Sequence, residues 1–198
     1  SFVVRSAFLA GAAQRLMTGP RTYYVWVGSL LVFALAGLAA YAWQIKAGLV
    51  VTGLTSYVPW GLYIGNFTFL VGVAAAAVLL IIPAYIYDFG PIKEIVIVGE
   101  ALAVSALIMV LLFVTADMGR PDRLWHLVPG WGILNLPSSL LGWDIVVVNG
   151  YLFLNVFIPG YLLYKSYQMK ASNRSFIILF ILLSIPWAVS IHTVTAFI

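Results

Sequence analysis

The sequence predicts an all-α integral membrane protein, folded as a polytopic bundle of transmembrane helices. The chain is 64% hydrophobic with a mean hydropathy of +1.08, whereas soluble domains are about 45–50% apolar. Its apolar residues form runs long enough to cross a bilayer, and only 8% of all residues are charged. The basic residues gather at the ends of these runs, which is typical of topology signals and argues against binding to nucleic acid.

Five apolar runs are long enough to be spans, and they make up a single transmembrane domain over residues 1–198. Tyrosines and tryptophans border the first run at both ends, as they do at membrane interfaces. The second run is longer than a bilayer is thick, so we expect tilt or a kink near Pro83. Residues 1–21 are expected to form an amphipathic segment on the membrane surface. The expected spans are 23–41, 59–87, 92–116, 144–164 and 176–198.

The distribution of basic residues predicts which way the spans run. We call the side of the membrane that holds the first basic residues side A, and the opposite side side B. Seven of the ten Lys and Arg residues fall on side A, which predicts a cytoplasmic N terminus in the cell (inner) membrane. The loop 117–143 is then extracytoplasmic. The side-A residues are Arg5, Arg15, Arg21, Lys93, Lys165, Lys170 and Arg174, and the side-B residues are Lys46, Arg120 and Arg123.

The loop 117–143, between the third and fourth spans, concentrates polar and aromatic side chains. With Asp144, which follows it, the loop holds three of the six acidic residues and one of the two histidines. Trp125, Trp131 and Trp143 are interleaved with them. A polar, aromatic loop between two apolar spans is where a membrane protein carries out chemistry or meets a partner.

Polar residues from four spans are expected to converge at side B, beneath this loop. Such a pocket suits a quinone, because the head group needs donors for two carbonyl oxygens and its reduction moves two protons. An imidazole gives and takes a proton near neutral pH, and a carboxylate can orient it. The expected catalytic residues are His126, His192, Asp117 and Asp144. The expected quinone-binding residues are Asn66, Arg120, His126, Trp143, Asn149 and His192.

These residues also have a purely structural interpretation. In that interpretation Asn66 and Asn149 only form hydrogen bonds between helices. Asp144 opens a helix, where the helix dipole favours a negative charge. Arg120 pairs with an acid or with a lipid phosphate. The sequence leaves both interpretations open.

Glu100 lies about two turns into the third span from side A. A carboxylate at that depth is protonated, paired or solvated in a channel. One interpretation makes Glu100 a step in a proton path from the cytoplasm. The other makes it a neutral glutamate that bonds to a neighbouring helix.

The chain has no cysteine. It therefore cannot hold an iron–sulfur cluster by itself, attach a haem through thioethers or form a disulfide. A haem ligated by His126 and His192 is disfavoured, because His126 lies in a loop. If electrons pass through this protein, a partner must carry them to or from it.

Several strings in the chain resemble the NrfD/polysulfide reductase membrane subunit (PsrC-like) family. In and after the loop they are DMGRPDRLWH at 117–126 and LPSSLLGWDIVVVNGYLFLN at 136–155. PWGLYIGNFTFLVG at 59–72 and SIHTVTAFI at 190–198 resemble the family's second and fifth spans. Within the family, residues 73–100 resemble DsrP, the membrane subunit of the DsrMKJOP complex of sulfur metabolism.

The resemblance implies a quinone-interacting membrane subunit of a respiratory redox complex, which is not catalytic alone. It implies menaquinone near side B, beside an extracytoplasmic, ferredoxin-like iron–sulfur subunit that exchanges electrons with it. Other membrane and cytoplasmic subunits of a Dsr-like complex, in dissimilatory sulfite or sulfate metabolism, are implied in the same way. The family's size of roughly eight to ten spans implies that this chain is the N-terminal part of a longer protein.

Two other functions fit the same sequence. Glu100 and Asn66 are compatible with a polytopic transporter or ion-conducting subunit, which uptake by the isolated chain in liposomes would support. The polar loop is compatible with a cofactor-free membrane anchor for a redox partner, which would be insensitive to quinone analogues.

Overall fold

The computed structural model describes residues 2–58, 60–128 and 130–197, and across them the regular structure is helical with no β-strand. This confirms the all-α class. Pro59, expected to open the second span, lies outside the described residues, as do Ser1 and Ile198. The helices are α1 (Phe2–Leu16), α2 (Arg21–Ala47), α3 (Leu62–Ile81), α4 (Gly90–Asp117), α5 (Leu140–Tyr167) and α6 (Arg174–Thr195).

Short helical segments extend or connect these six helices. α3 continues into a π-helical turn, Ile82–Ile86, because Pro83 has no N–H to donate to a regular turn. One 3₁₀ helix, Leu49–Thr52, follows α2. The other, Pro121–Leu127, lies between α4 and α5 and is called the loop helix.

Among the described residues, five helices are long and apolar enough to cross a membrane: α2, α3 with its π turn, α4, α5 and α6. This agrees with the expected polytopic bundle, and the chain is a multi-pass membrane protein. α5 begins at Leu140, ahead of the expected start at Asp144. It starts there because the Ser139 hydroxyl caps it, accepting a hydrogen bond from the Gly142 N–H at 3.0 Å.

The chain divides into two compact units, Ser1–Thr52 and Gly53–Ile198. In the first unit, α2 is the candidate span, and Gln44 is its one buried residue among those described. The Tyr24 hydroxyl donates to the Met17 carbonyl at 3.0 Å, which ties the start of α2 to the end of α1. The bundle and the candidate site belong entirely to the second unit.

The second unit is a four-helix bundle of α3, α4, α5 and α6. α3 packs against α4 and α6, and α5 packs against the same two helices, so the four form a closed ring. Residues 87–89 join the π turn to α4, and residues 168–173 join α5 to α6. Connections this short make the joined helices antiparallel neighbours.

The interior of the bundle has two apolar clusters with a polar layer between them. The polar layer consists of Glu100 on α4, Asn155 on α5 and Ser184 on α6, exposed to 1%, 2% and 1%. Each lies about 15–18 Å from the side-A end of its helix, at 1.5 Å per residue, so the three share one level. The cluster nearer side B includes Phe67, Val71, Leu107, Val148 and Ile191, and the cluster nearer side A includes Ile81, Val96 and Ile181.

Candidate functional site

The side-B ends of α4 and α5 are joined by a loop that carries Arg120 and His126 of the predicted site. α4 ends at Asp117, because Gly119 adopts a left-handed φ of 68° and Pro121 follows it. The loop helix begins at that proline and lies against α4. Trp143 fastens the end of the loop to α5, since its indole N–H donates to the Pro137 carbonyl at 2.9 Å.

A cleft of about 480 Å³ opens between the last turns of α4, the loop helix and the first turns of α5. This volume falls within the range of small-molecule and cofactor sites. Its wall is apolar apart from Thr115 and Asn149, so it suits a ring system with few polar atoms. The lining residues are Leu111, Val114, Thr115, Leu124, Leu127, Val128, Ile145, Val146 and Asn149.

The two asparagines of the predicted site each bond to their own helix. The Asn149 side-chain amide donates to the Ile145 carbonyl at 2.8 Å, and the Asn66 amide donates to the Leu62 carbonyl at 2.8 Å. Asn149 is exposed and lines the cleft, whereas Asn66 is half-buried on α3 and does not. Of the two, only Asn149 is placed to contact a ligand in the cleft.

Neither histidine is among the described residues that line the cleft. His126 is exposed on the loop helix and stacks on Trp125, with 3.7 Å between ring centroids and 27° between planes. It shares that helix with Leu124 and Leu127, which line the cleft. His192 is exposed on α6, which supplies none of the described lining residues.

Arg120 is engaged within the loop. Its Nε and Nη2 atoms donate to the two carboxylate oxygens of Asp122, both at 3.0 Å. This bidentate pair lies at the surface, and it holds the pKa of Asp122 below its ordinary value. Arg120 therefore shapes the loop surface rather than the cleft.

The two predicted carboxylic acids are not among the described residues that line the cleft. Asp144 is only 2% exposed, and Asp117 is half-buried. One carboxylate oxygen of each, Oδ1, is buried and has no hydrogen-bond partner among the described residues. The Thr195 hydroxyl, at the side-B end of α6, is likewise buried without a hydrogen-bond partner among the described residues. A buried polar atom without a partner costs free energy, so these groups call for a proton, a water molecule or a functional reason.

Glu100 is the most enclosed acid of the described chain. Both of its carboxylate oxygens are buried and lack a hydrogen-bond partner among the described residues. The carboxylate is close enough to act electrostatically on the hydroxyls of Tyr85 and Tyr151. Neither ion pair of the described residues involves Glu100, since one joins Lys93 to Asp88 and the other is the loop pair.

Asn155 and Tyr151 are interior polar residues that were not predicted from the sequence, and the same is true of Ser184 and Thr195. Asn155 donates its side-chain amide to the Tyr151 carbonyl at 2.9 Å, and its own Oδ1 is buried without a partner in the described structure. The Tyr151 hydroxyl donates across the bundle to the Ala74 carbonyl of α3 at 3.3 Å. Their spacing from Asp144, seven and eleven residues on, places all three on one face of α5 and is the signal that could have found them.

Among the residues that the structure describes, no group of three His, Asp or Glu side chains could hold a metal ion. The described side-B residues offer an apolar cleft with the Thr115 hydroxyl and the Asn149 amide at its wall, and α4 and α5 also carry the acids Asp117 and Asp144.

A family model described as "Polysulphide reductase, NrfD" matches residues 50–198 of this chain. The chain is 28% identical to a selenate reductase subunit of Mesobacillus selenatarsenatis, over 73% of this chain and 33% of the relative. It is 27% identical to a putative dimethyl sulfoxide reductase membrane subunit of Halobacterium salinarum, over 87% of this chain and 42% of the relative.

A third relative is the Hdr-like menaquinol oxidoreductase integral membrane subunit of Archaeoglobus fulgidus. It is 23% identical over 84% of this chain and 39% of its own length. The chain thus spans less than half the length of these relatives. No solved structure gives a significant match.

Proposed function

This chain belongs to the polysulphide reductase NrfD family, and from that premise we propose that it is the quinone-interacting membrane part of a respiratory oxidoreductase. The single observation that carries the proposal is the cleft of about 480 Å³ at side B, walled by α4, the loop helix and α5. Bound menaquinone would supply two-electron, two-proton redox chemistry there. The menaquinol in the name of the Archaeoglobus relative supports this choice of quinone.

The cleft residues fit a quinone in shape and polarity. Leu111, Val114 and Ile145 offer an apolar wall to the ring. The Asn149 amide lies at the wall, where it can donate to a carbonyl oxygen. The wall suits the ring, and the amide supplies a donor for one of the two carbonyl oxygens of a quinone head group.

We propose that histidines and acids at side B move the protons. His126, on the loop helix, and His192, at the side-B end of α6, are the candidate proton donors. Asp117 and Asp144 orient a histidine or accept its proton. Glu100, deeper in the bundle, is proposed as a step on a proton path towards side A, because its two carboxylate oxygens are buried without partners in the described structure.

The loop surface is proposed as the docking site for an extracytoplasmic, ferredoxin-like iron–sulfur subunit. Trp125, Trp131 and Ile133 are 51%, 80% and 78% exposed, which leaves apolar area for a partner. A Dsr-like complex in sulfur metabolism, with further membrane and cytoplasmic subunits, is our proposed setting. The subunit names of the relatives support a multi-subunit reductase, and the sulfur assignment rests on the resemblance of residues 73–100 to DsrP.

The orientation is proposed from the basic residues, with side A in the cytoplasm of a cell-membrane protein. Reporter fusions after Asn135 and Asn173 test it. A reporter active only outside the cytoplasm should work at Asn135 and fail at Asn173. Activity of that reporter at Asn173 would reverse the orientation.

The quinone site is tested by filling the cleft in the full-length complex. Val146→Trp places an indole in the cleft, whereas Val156→Trp, on the exposed face of the same helix, is its matched control. Val146→Trp should lower quinol-dependent reduction of the partner's clusters at least tenfold, and the control should not. Reduction by an artificial donor that acts directly on the partner should survive in both variants.

His126→Ala and His192→Ala are assayed in the same way. If Val146→Trp and both histidine variants keep normal quinol kinetics and inhibitor binding, the quinone site lies elsewhere and the loop serves only to bind the partner subunit.

A second function, proton or ion conduction, is favoured by the buried Glu100 carboxylate. It is supported if the chain alone conducts protons in liposomes without quinone.

A further inference from the structure

We propose that a cavity at side A, between the π turn and the first turns of α4 and α6, binds the phosphate head group of an anionic phospholipid. The cavity holds about 310 Å³ and lies wholly within the second unit, at the opposite end of α4 from the side-B cleft. The site is separate from the quinone function proposed above, so each can be tested without the other.

The cavity lies at the depth where the helices of the bundle leave the membrane. The connection 87–89, between the π turn and α4, contributes Asp88, and the connection 168–173, between α5 and α6, contributes Ser172. Exposed aromatic side chains lie at the same level, as they do where a bilayer meets water. They are Tyr87, Phe89 and Tyr167. The cavity is therefore at the depth of lipid head groups.

The lining of the cavity has a polar part and an apolar part. The polar residues are Tyr85, Asp88, Lys93, Ser172 and Arg174, and the apolar residues are Leu162, Ile177 and Ile178. Arg174 and Ile178 are one turn apart on one face of α6, with Ile178 further into the span. A phospholipid has its parts in the same order, because its phosphate lies at the surface and its chains lie beneath.

The charges of the lining favour an anion. Lys93 and Arg174 are positive, and Asp88 is the one carboxylate among the described lining residues. The Lys93 ammonium pairs with Asp88. Arg174 acts electrostatically on Asp88 but forms no ion pair with it or with any other residue that the structure describes. The guanidinium thus lines the cavity without an ionic partner from the described part of the chain.

The polar groups match the chemistry of a phosphate. A guanidinium can donate two parallel N–H groups to two oxygens of one phosphate. The hydroxyls of Ser172 and Tyr85 each have a proton to donate to a further oxygen. Lys93 adds a second positive charge to the lining.

The apolar part of the lining favours a phospholipid over a free phosphate. A free phosphate would gain nothing from Leu162, Ile177 and Ile178, whereas the chains of a lipid bury them. The chains then continue over the exposed apolar faces of α5 and α6, where Leu163 and Leu179 lie. In the orientation proposed above, side A is the cytoplasmic side, where anionic lipids attract basic residues beside a span.

The test uses the full-length complex in detergent micelles and a phosphatidylglycerol that carries a diazirine in its acyl chains. Light attaches the bound lipid to the residues that it touches, and mass spectrometry of the peptides locates the label. Diacylglycerol with the same chains is the matched control, because it lacks only the phosphate head group. Phosphatidylglycerol should label Leu162, Ile177 or Ile178 about tenfold more than diacylglycerol does. Equal labelling by the two lipids would overturn the proposal.

Arg174→Gln tests the guanidinium in the same assay. The variant should bring the labelling ratio of the two lipids down to about one, because it removes the charged donor that lacks an ionic partner. Lys170→Gln is its control, since it removes an exposed positive charge from the connection 168–173 without changing the described lining. An unchanged ratio in Arg174→Gln, or an equal loss in Lys170→Gln, would overturn the site.

Asp88→Asn gives a test that does not depend on the folding of Arg174→Gln. Asp88 has a left-handed φ of 57°, which asparagine also adopts readily. The substitution removes the negative charge of the lining, so phosphatidylglycerol should label the cavity at a lower lipid concentration than in wild type. A cavity with only a structural role predicts no such gain. A concentration dependence that is unchanged or weaker in Asp88→Asn would contradict the proposal.

Inorganic phosphate separates a lipid site from a site for free phosphate. Labelling that persists in excess phosphate supports the lipid, whereas labelling that phosphate abolishes would overturn the assignment to a phospholipid. None of these measurements uses quinone. A complex that is labelled selectively but does not react with quinol would keep the lipid site and lose the quinone function. A complex that reacts with quinol without selective labelling would keep the quinone function and lose the lipid site.

Discussion

The side-B cleft and the interior face of α5 both contain polar groups, but these groups differ in whether the chain itself supplies their hydrogen-bond partners. In the cleft, the Asn149 amide bonds to the carbonyl of its own helix, and the neighbouring loop pairs Arg120 with Asp122. In the interior, Glu100 and Asn155 keep buried oxygens that no described residue contacts by a hydrogen bond. The polar groups of the cleft are bonded within the chain, whereas the buried oxygens of the interior call for a proton or a water molecule.

This difference predicts which substitutions should lower proton-coupled turnover and which should lower only the affinity for a ligand in the cleft. A group that is satisfied by its own helix can be lost at a small cost in binding. A buried group without a partner costs free energy in the folded state, so we expect substitution there to change proton transfer, as proposed above. The following substitutions test that contrast.

The largest effect is expected for Glu100→Gln. The variant keeps the shape and much of the hydrogen bonding of the side chain but cannot take up or release a proton. Since a positioned acid or base contributes at least about 100-fold, proton-coupled turnover should fall by about that factor while the complex assembles. Glu94→Gln, on the exposed part of the same helix, is the control. Normal turnover of Glu100→Gln at all pH values would leave Glu100 a structural residue.

A smaller effect is expected for Asn149→Leu in the cleft. The substitution removes one donor to a bound head group and keeps the apolar wall, so about 1.4 kcal/mol of binding, or about tenfold in KM, should be lost. Because Asn149 is not proposed to transfer a proton, kcat should change little. Asn66→Leu, which changes an asparagine that does not line the cleft, should leave KM unchanged. A change in kcat alone would point to a chemical role for Asn149.

Packing between α5 and α6 gives a test without catalysis. The Trp187 indole donates to the Val147 carbonyl at 2.8 Å, and it occupies the space where a side chain on Gly150 would go. Gly150→Ala should therefore lower the free energy of unfolding by about 1–3 kcal/mol through overpacking. Gly160→Ala, on the same helix, meets open space and should be neutral or stabilising. Thermal unfolding of both variants in detergent measures the difference.

The smallest effect is expected for Asp122→Asn in the loop. Arg120 lowers the pKa of Asp122, so the stability from this pair is present above the ordinary aspartate pKa and is lost as pH falls through the lowered value. Both side chains are well exposed, and solvent screens the pair. The variant should unfold at the wild-type temperature at neutral pH. A clear loss there would show that the pair organises the loop.

The sequence by itself determined the fold class. Apolar runs long enough to cross a bilayer, bordered by aromatic and basic residues, predicted five spans, and the part of the chain that the structure describes contains five such helices. The same residues identified the loop before Asp144 as the polar centre of the chain, because polar side chains are rare in so apolar a sequence. Glu100 stood out for the same reason.

Only the tertiary structure decided which way each polar side chain points. Asp144 and Asn149 are five residues apart on α5, which is about 140° around a helix, so one faces the interior and the other the cleft. A helix of a soluble protein reveals its inner face by its apolar stripe. The membrane-spanning helices here are apolar on all sides, because the lipid outside them and the packed side chains inside the bundle are equally apolar. Their sequences therefore carry no apolar stripe that would tell which face of a helix points to the interior and which to the cleft.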